Sequence, residues 1–212
     1  MQLITSKKDK LNKALLALVV FVGSFTLLQA QTPELLVSAG LALDSVGNHE
    51  KALHKYEKAI KLNPLYAEAF RARGASSLKM KDYKAAMKDL THAIELKPGF
   101  AEAYFDRAEV KEVLNDYRGE IQDLNKAIEF KTDYAVAYNR RGLVRGRLGD
   151  HKGEVDDFTK AIGIKPNYGE ALHNRGHAKY ILGDKEGACA DFSKAGENDY
   201  FKSYDDIKDM CK

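Results

Sequence analysis

Small and bulky apolar residues return at fixed places along this chain. The stretches EAFRARGASSLKMKDY (68–83), EAYFDRAEVKEVLNDY (102–117), VAYNRRGLVRGRLGDH (136–151) and EALHNRGHAKYILGDK (170–185) share one frame, each starting 34 residues after the one before. A more divergent copy is ELLVSAGLALDSVGNH (34–49). A fixed period of this size predicts an array of supersecondary units, each burying its apolar face against the next. Five units follow: 33–66, 67–100, 101–134, 135–168 and 169–200.

Each unit reads as two helices. The first carries an aromatic or Leu at its fourth position (Leu36, Phe70, Tyr104, Tyr138, Leu172) and a small residue at its eighth (Gly40, Gly74, Ala108, Gly142, Gly176). A turn follows, as in Gly47-Asn48, Gly149-Asp150 and Gly183-Asp184. The second helix carries a bulky residue at position 24 (Tyr56, Leu90, Leu124, Phe158, Phe192) and Ala at position 27. Pro64, Pro98 and Pro166 cannot continue a helix and so mark its end. An aromatic closes the unit at Tyr66, Phe100, Tyr134 and Tyr168.

This frame resembles the tetratricopeptide repeat family over residues 33–200. The resemblance implies an all-α fold, a right-handed α-solenoid of five antiparallel helix pairs whose first helices line a concave groove. Residues 201–212 read as a C-terminal capping helix, with Asp205, Asp206, Lys208 and Asp209 making a polar outer face. Three departures from the family pattern stand out. Thr132 occupies a place where Pro is usual, so the third unit is expected to stop less sharply. Glu120 and Glu154 replace the usual Ala at position 20, and Arg replaces the usual Leu at position 7 in four units.

The repeats allow comparison within one sequence. Arg73, Arg107, Arg141 and Arg175 hold position 7, and Asp89, Asp123, Asp157 and Asp191 hold position 23 of the same units. The first unit lacks both and has Ala39 and Lys55 instead. Two positions that change together predict that each Arg meets the Asp of its own unit. A pairing of Lys111 with Glu120 and of Arg145 with Glu154 is also expected, although Lys179 has only Ala188 opposite it.

The string HNRGH (173–177) comes close to the H-E-x-x-H zinc motif, but the place of the Glu base is taken by Asn174. Arg175 and Gly176 belong to the repeat frame, and His173 and His177 fall at positions 5 and 9, on the groove face. No third ligand is evident beyond Glu170 one turn before, so no metal site, cofactor or catalytic residue is assigned. The remaining histidines are scattered, and the chain has no G-x-S-x-G, Walker-type loop or C-x-x-C. The alternative reading, a metal-dependent enzyme built on His173 and His177, rests on those two residues alone.

Charge and cysteine content add location. Residues 1–30 carry Lys7, Lys8, Lys10 and Lys13 against Asp9 alone, followed by ALLALVVFVGSFTLL, which has no charge. This is the pattern of an export signal, with cleavage expected after Ala30. The alternative is an uncleaved anchor over residues 14–30, which would make the chain a membrane-tethered subunit of an envelope complex. The rest of the chain holds 30 basic and 30 acidic side chains, a balance that gives no support to nucleic acid binding. Both readings place the repeats outside the cytoplasm, in the periplasm or secreted. There the two cysteines, Cys189 and Cys211, invite a disulfide between the last repeat and its cap.

The function expected is a non-enzymatic protein-interaction scaffold, holding a peptide or helix of a protein partner in the groove. The groove residues named by the frame are Arg71, Phe105, Glu109, Asn139, Leu143, His173, His177 and Tyr180. The Lys and Asn set of a carboxylate clamp is not present in any three successive units.

Overall fold

The computed structural model describes residues 32–201 and 203–211; the expected export segment lies outside the described residues. Among these there are eleven α-helices and no strand. They are α1 (Pro33–Ser45), α2 (His49–Leu62), α3 (Ala67–Lys79), α4 (Tyr83–Leu96), α5 (Ala101–Val113), α6 (Tyr117–Phe130), α7 (Ala135–Arg147), α8 (His151–Ile164), α9 (Gly169–Ile181), α10 (Lys185–Glu197) and α11 (Ser203–Met210). No helix among the described residues is long and apolar enough to cross a membrane. The chain divides between Leu96 and Lys97 into two compact units, the first holding α1–α4 and the second α5–α11.

Within each unit, consecutive helices pack on one another. The core of the first is built from Leu36, Val37, Ala52, Tyr56, Ala59, Ala69 and Ala72. In the second, Phe105, Ala108, Leu124, Ala127, Ile128, Ala137 and Val144 form the corresponding cluster. The turn inside each hairpin is the same device five times. Gly47, Lys81, Asn115, Gly149 and Gly183 all have positive φ, between 58° and 89°. The next residue's N–H then reaches back to the carbonyl five residues earlier, as Asp150 does to Arg145 and Asp184 to Lys179. This is the Schellman closure, in which a left-handed residue reverses the chain and satisfies carbonyls the helix has left over. Asp116, Asp150 and Asp184 then cap the second helices by accepting from the N–H of Gly119, Gly153 and Gly187.

Helix-to-helix distance inside a hairpin is set by the pair at positions 8 and 24. A Cβ added to Gly176 would sit 2.5 Å from the Phe192 ring, and one added to Gly142 would sit 2.8 Å from the Phe158 ring. Where the bulky partner is the smaller Leu124, Ala108 is accommodated, and both residues are fully buried. Gly176→Ala is therefore expected to cost ~1–3 kcal/mol by overpacking. Combined with Phe192→Leu, it should cost less than the two single changes added together. Urea midpoints of the four species test this, and simple additivity would contradict the pairing.

Thr132 does not blunt the third unit. Its second helix ends at Phe130, the place equivalent to Leu62, Leu96 and Ile164 in the other units. The stop is supplied instead by the closing aromatic. Tyr134 packs on Phe105 with ring centres 5.1 Å apart, while the Lys131 N–H still closes onto the Ala127 carbonyl. Packing that holds Tyr134 in place ends the helix without a proline.

Candidate functional site

The arginines of position 7 reach the aspartates of their own units through two parallel bonds each. Arg73 donates from Nε (2.6 Å) and Nη2 (2.8 Å) to Asp89, and Arg107 does the same to Asp123 at 2.8 and 2.7 Å. Arg141 meets Asp157 at 2.9 and 2.6 Å, and Arg175 meets Asp191 at 2.8 and 2.6 Å. Hydrogen bonding to Asp89 and Asp123 outweighs burial and raises the pKa of Arg73 and Arg107 further above the ordinary guanidinium value. The sequence did not signal a second contact. The free Nη1 of Arg141 donates to Asn125, and that of Arg175 to Thr159, each on the second helix of the preceding hairpin. One guanidinium thus fastens a hairpin internally and to its neighbour.

The pairing expected for Glu120 and Glu154 does not form. Lys111 lies 2.7 Å from Asp123 and donates to the Gly119 carbonyl; Arg145 lies 3.0 Å from Asp157 and donates to the Gly153 carbonyl. Lys179 does the same with Asp191 and the Gly187 carbonyl, so the fifth unit fits once the partner is the aspartate. Glu154 is left to accept from His151 at 2.8 Å. Glu120 is fully buried, and neither of its oxygens has a hydrogen-bond partner. Burial, with the Glu112 charge beside it, pushes its carboxyl up to about 7.

The first unit solves the missing Arg–Asp pair differently. Asp44 accepts from Tyr56 (2.7 Å) and Ser76 (2.9 Å) and lies 2.7 Å from His49. Burial acts to raise the Asp44 pKa, but these three bonds together outweigh it and hold the carboxyl below its ordinary value. Burial and the bond to Asp44 push the Tyr56 phenol well above its ordinary value.

The residues named from the frame as groove-lining are not equally available. Phe105 and Asn139 are buried, at 9% and 4% exposure. Phe105 packs on Tyr134 beneath the Arg140 guanidinium, and Asn139 donates to Glu170 at 3.2 Å. Arg71 is half-buried on α3, where its charge acts on Tyr56. Glu109, Leu143, His173, His177 and Tyr180 are half-buried on α5, α7 and α9. Glu109 accepts from Arg140 at 2.6 Å, while Glu112 takes Arg140 and, at 2.8 Å, Arg147. Val113, Arg147 and Ile181 stand exposed at the ends of the same three helices.

At the last repeat, His173 and His177 stand edge to face, ring centres 4.6 Å apart. Asp206 of α11 comes to both, 3.2 Å from His173 Nδ1 and 3.4 Å from His177 Nε2. A third potential ligand therefore exists, contrary to the reading of the sequence. Its only signal was the acidic stretch of the cap. Cys189 and Cys211 are bonded in the structure, with Cα atoms 5.7 Å apart, joining α10 to the end of the cap.

Comparison with known proteins agrees with this architecture. Tetratricopeptide repeat models match residues 33–66, 68–100 and 135–168. The chain is a tetratricopeptide repeat protein, of the all-α repeat solenoid class, in a family of scaffolds for protein–protein interaction. Among solved structures, MamA is similar at 27% identity with a TM-score of 0.68, over 78% of this chain and 96% of that one. YrrB, described as a TPR protein with an unusual peptide-binding site, is 20% identical with a TM-score of 0.66, over 84% of this chain and 93% of that one. PilF of Pseudomonas aeruginosa is 18% identical with a TM-score of 0.74, over 78% and 76%. The last two likenesses carry the fold alone. No curated protein matches the chain in sequence.

Proposed function

We propose that this chain is a non-enzymatic scaffold that holds an extended segment or helix of a protein partner along the first helices of its second unit. The observation that carries the reading is the face formed by α5, α7 and α9. Exposed or half-buried apolar side chains at Val113, Leu143 and Ile181 share these helices with the paired charges of Glu109, Glu112 and Arg147. Apolar anchors give a peptide affinity, and fixed charges give it register. The Arg–Asp ladder keeps that face rigid, which lowers the ordering cost of binding. The chain acts outside the cytoplasm, delivered by its N-terminal segment. Support comes from Lys7–Lys13 followed by the uncharged run, and from a cysteine pair placed to be bonded.

A photo-crosslinking residue placed at Leu143 tests this in the native host, with Lys160, exposed on the second helix α8, as the control. A discrete protein adduct is expected from position 143 and none from 160. Adducts from both positions alike, or from 160 alone, would overturn the assignment of the face.

A further inference from the structure

We infer that His173, His177 and Asp206 form a three-ligand site for zinc, fastening the C-terminal helix to the last repeat and leaving a fourth coordination position for water or a donor from a bound partner. The inference rests on geometry the repeat frame does not demand. Positions 5 and 9 hold no second pair of histidines in this chain: the equivalents are Val37 and Leu41, Arg71 and Ala75, Phe105 and Glu109, Asn139 and Leu143. Residues four apart on a helix share a face, so both imidazoles of α9 point the same way. The third donor comes from a different helix, α11, and all three ligand atoms lie within 4.8 Å of one another.

Two of the three spacings are those of a coordination shell. Zinc holds nitrogen and carboxylate oxygen at radii that put neighbouring ligand atoms of a tetrahedron about 3.3 Å apart. Asp206 Oδ2 lies 3.2 Å from His173 Nδ1 and 3.4 Å from His177 Nε2. One oxygen facing two imidazole nitrogens at nearly equal distances makes two edges of such a tetrahedron. Two imidazoles with one carboxylate favour zinc or a neighbouring first-row ion over calcium or magnesium, which take oxygen shells.

The surroundings suit a site that is anchored on one side and open on the other. The His173 ring packs 4.8 Å from Tyr200 and 5.8 Å from Phe192, and the His177 ring lies 5.0 Å from Phe192. These rings limit imidazole rotation and exclude water from one flank. The side chain of His177 remains 37% exposed, so the ion is reachable from solvent. The Cys189–Cys211 bond brings the end of α11 to α10, five residues beyond Asp206. The loop that delivers the third ligand is therefore closed before any metal arrives.

The test is metal titration of the full chain, purified without a histidine tag and with its disulfide intact. Zinc is followed by calorimetry, and cobalt by the visible d–d absorption that distinguishes a tetrahedral from an octahedral shell. One ion per chain is expected, with a tetrahedral cobalt spectrum. His177→Gln and Asp206→Asn are each expected to weaken binding at least about tenfold while keeping the helical circular dichroism. Both side chains are part-exposed at the edge of the core, so either variant suffices if the other is poorly folded. Absence of stoichiometric binding, an octahedral cobalt spectrum, or affinity unchanged in both variants would overturn the site. A protein that binds zinc but gives no adduct at position 143 would keep this site and lose the proposed binding face.

Discussion

Replacing Asp157 with alanine is expected to lower the unfolding free energy by about 3 kcal/mol, at the lower end for a broken buried ion pair. Asp157 is buried and takes Arg141 through two hydrogen bonds and Arg145 at 3.0 Å, so its removal strands two cations. The lower end applies because the Arg141 and Arg145 side chains are 15% and 28% exposed and can recover part of their hydration. Removing Arg145 instead leaves Asp157 still paired with Arg141, and should cost under about 1 kcal/mol. Removing both members of the Arg141–Asp157 pair in favour of apolar residues should cost less than Asp157→Ala alone. The first unit already folds with Ala39 at the arginine position. Urea unfolding of the three variants checks the order, and an Asp157→Ala protein as stable as the parent would contradict the ladder.

The second large effect has the opposite sign. Glu120→Ala is expected to stabilise the protein at pH 8 by up to about 3 kcal/mol and to change little at pH 4.5. The carboxyl is held up to about 7 in the folded chain against an ordinary value of 4.5. Between these two values the folded state binds the extra proton, so folding stability falls as pH rises through the window. Above about 7 the full cost is in place, because a charged carboxylate is then buried with no donor. Alanine removes that cost, and Ala52, Ala86 and Ala188 fill the same place in other units with no exposure. Asp44 titrates in the other direction: its lowered pKa adds stability that is lost only as pH falls below the ordinary carboxylate range, outside this window. Stability of parent and variant between pH 4.5 and 8.5 reads the difference. Parallel curves would show that Glu120 carries no such penalty.

How far the sequence could be read follows from which interactions repeat. The frame was legible because each hairpin uses the same turn, the same small-against-bulky contact and the same closing aromatic. The Arg–Asp pairing was legible for a related reason: the first unit lost both residues at once, and covariation across copies reports contact. Spacing gives Lys111 and Arg145 the wrong partner because Glu120 and Asp123, like Glu154 and Asp157, stand three apart on one helix face. Spacing alone cannot rank two carboxylates that a cation could reach. The structure ranks them through the adjacent glycine carbonyl, which the same cation also binds. Apart from the disulfide, which a lone pair of cysteines announces, interactions that occur once were not legible. Asp206 reaches His173 and His177 by way of a cap that has no counterpart elsewhere in the chain. The burial of Phe105 and Asn139 depends on Tyr134, Arg140 and Glu170 closing over them, which a position number does not convey.

The binding face we propose is that of α5, α7 and α9. The most direct measurement of this is hydrogen exchange on the chain with and without the partner segment recovered from the position 143 adducts. Added protection confined to α5, α7 and α9 is the result predicted. Protection falling on α6, α8 and α10 instead, or no change on any of the six helices, would contradict it.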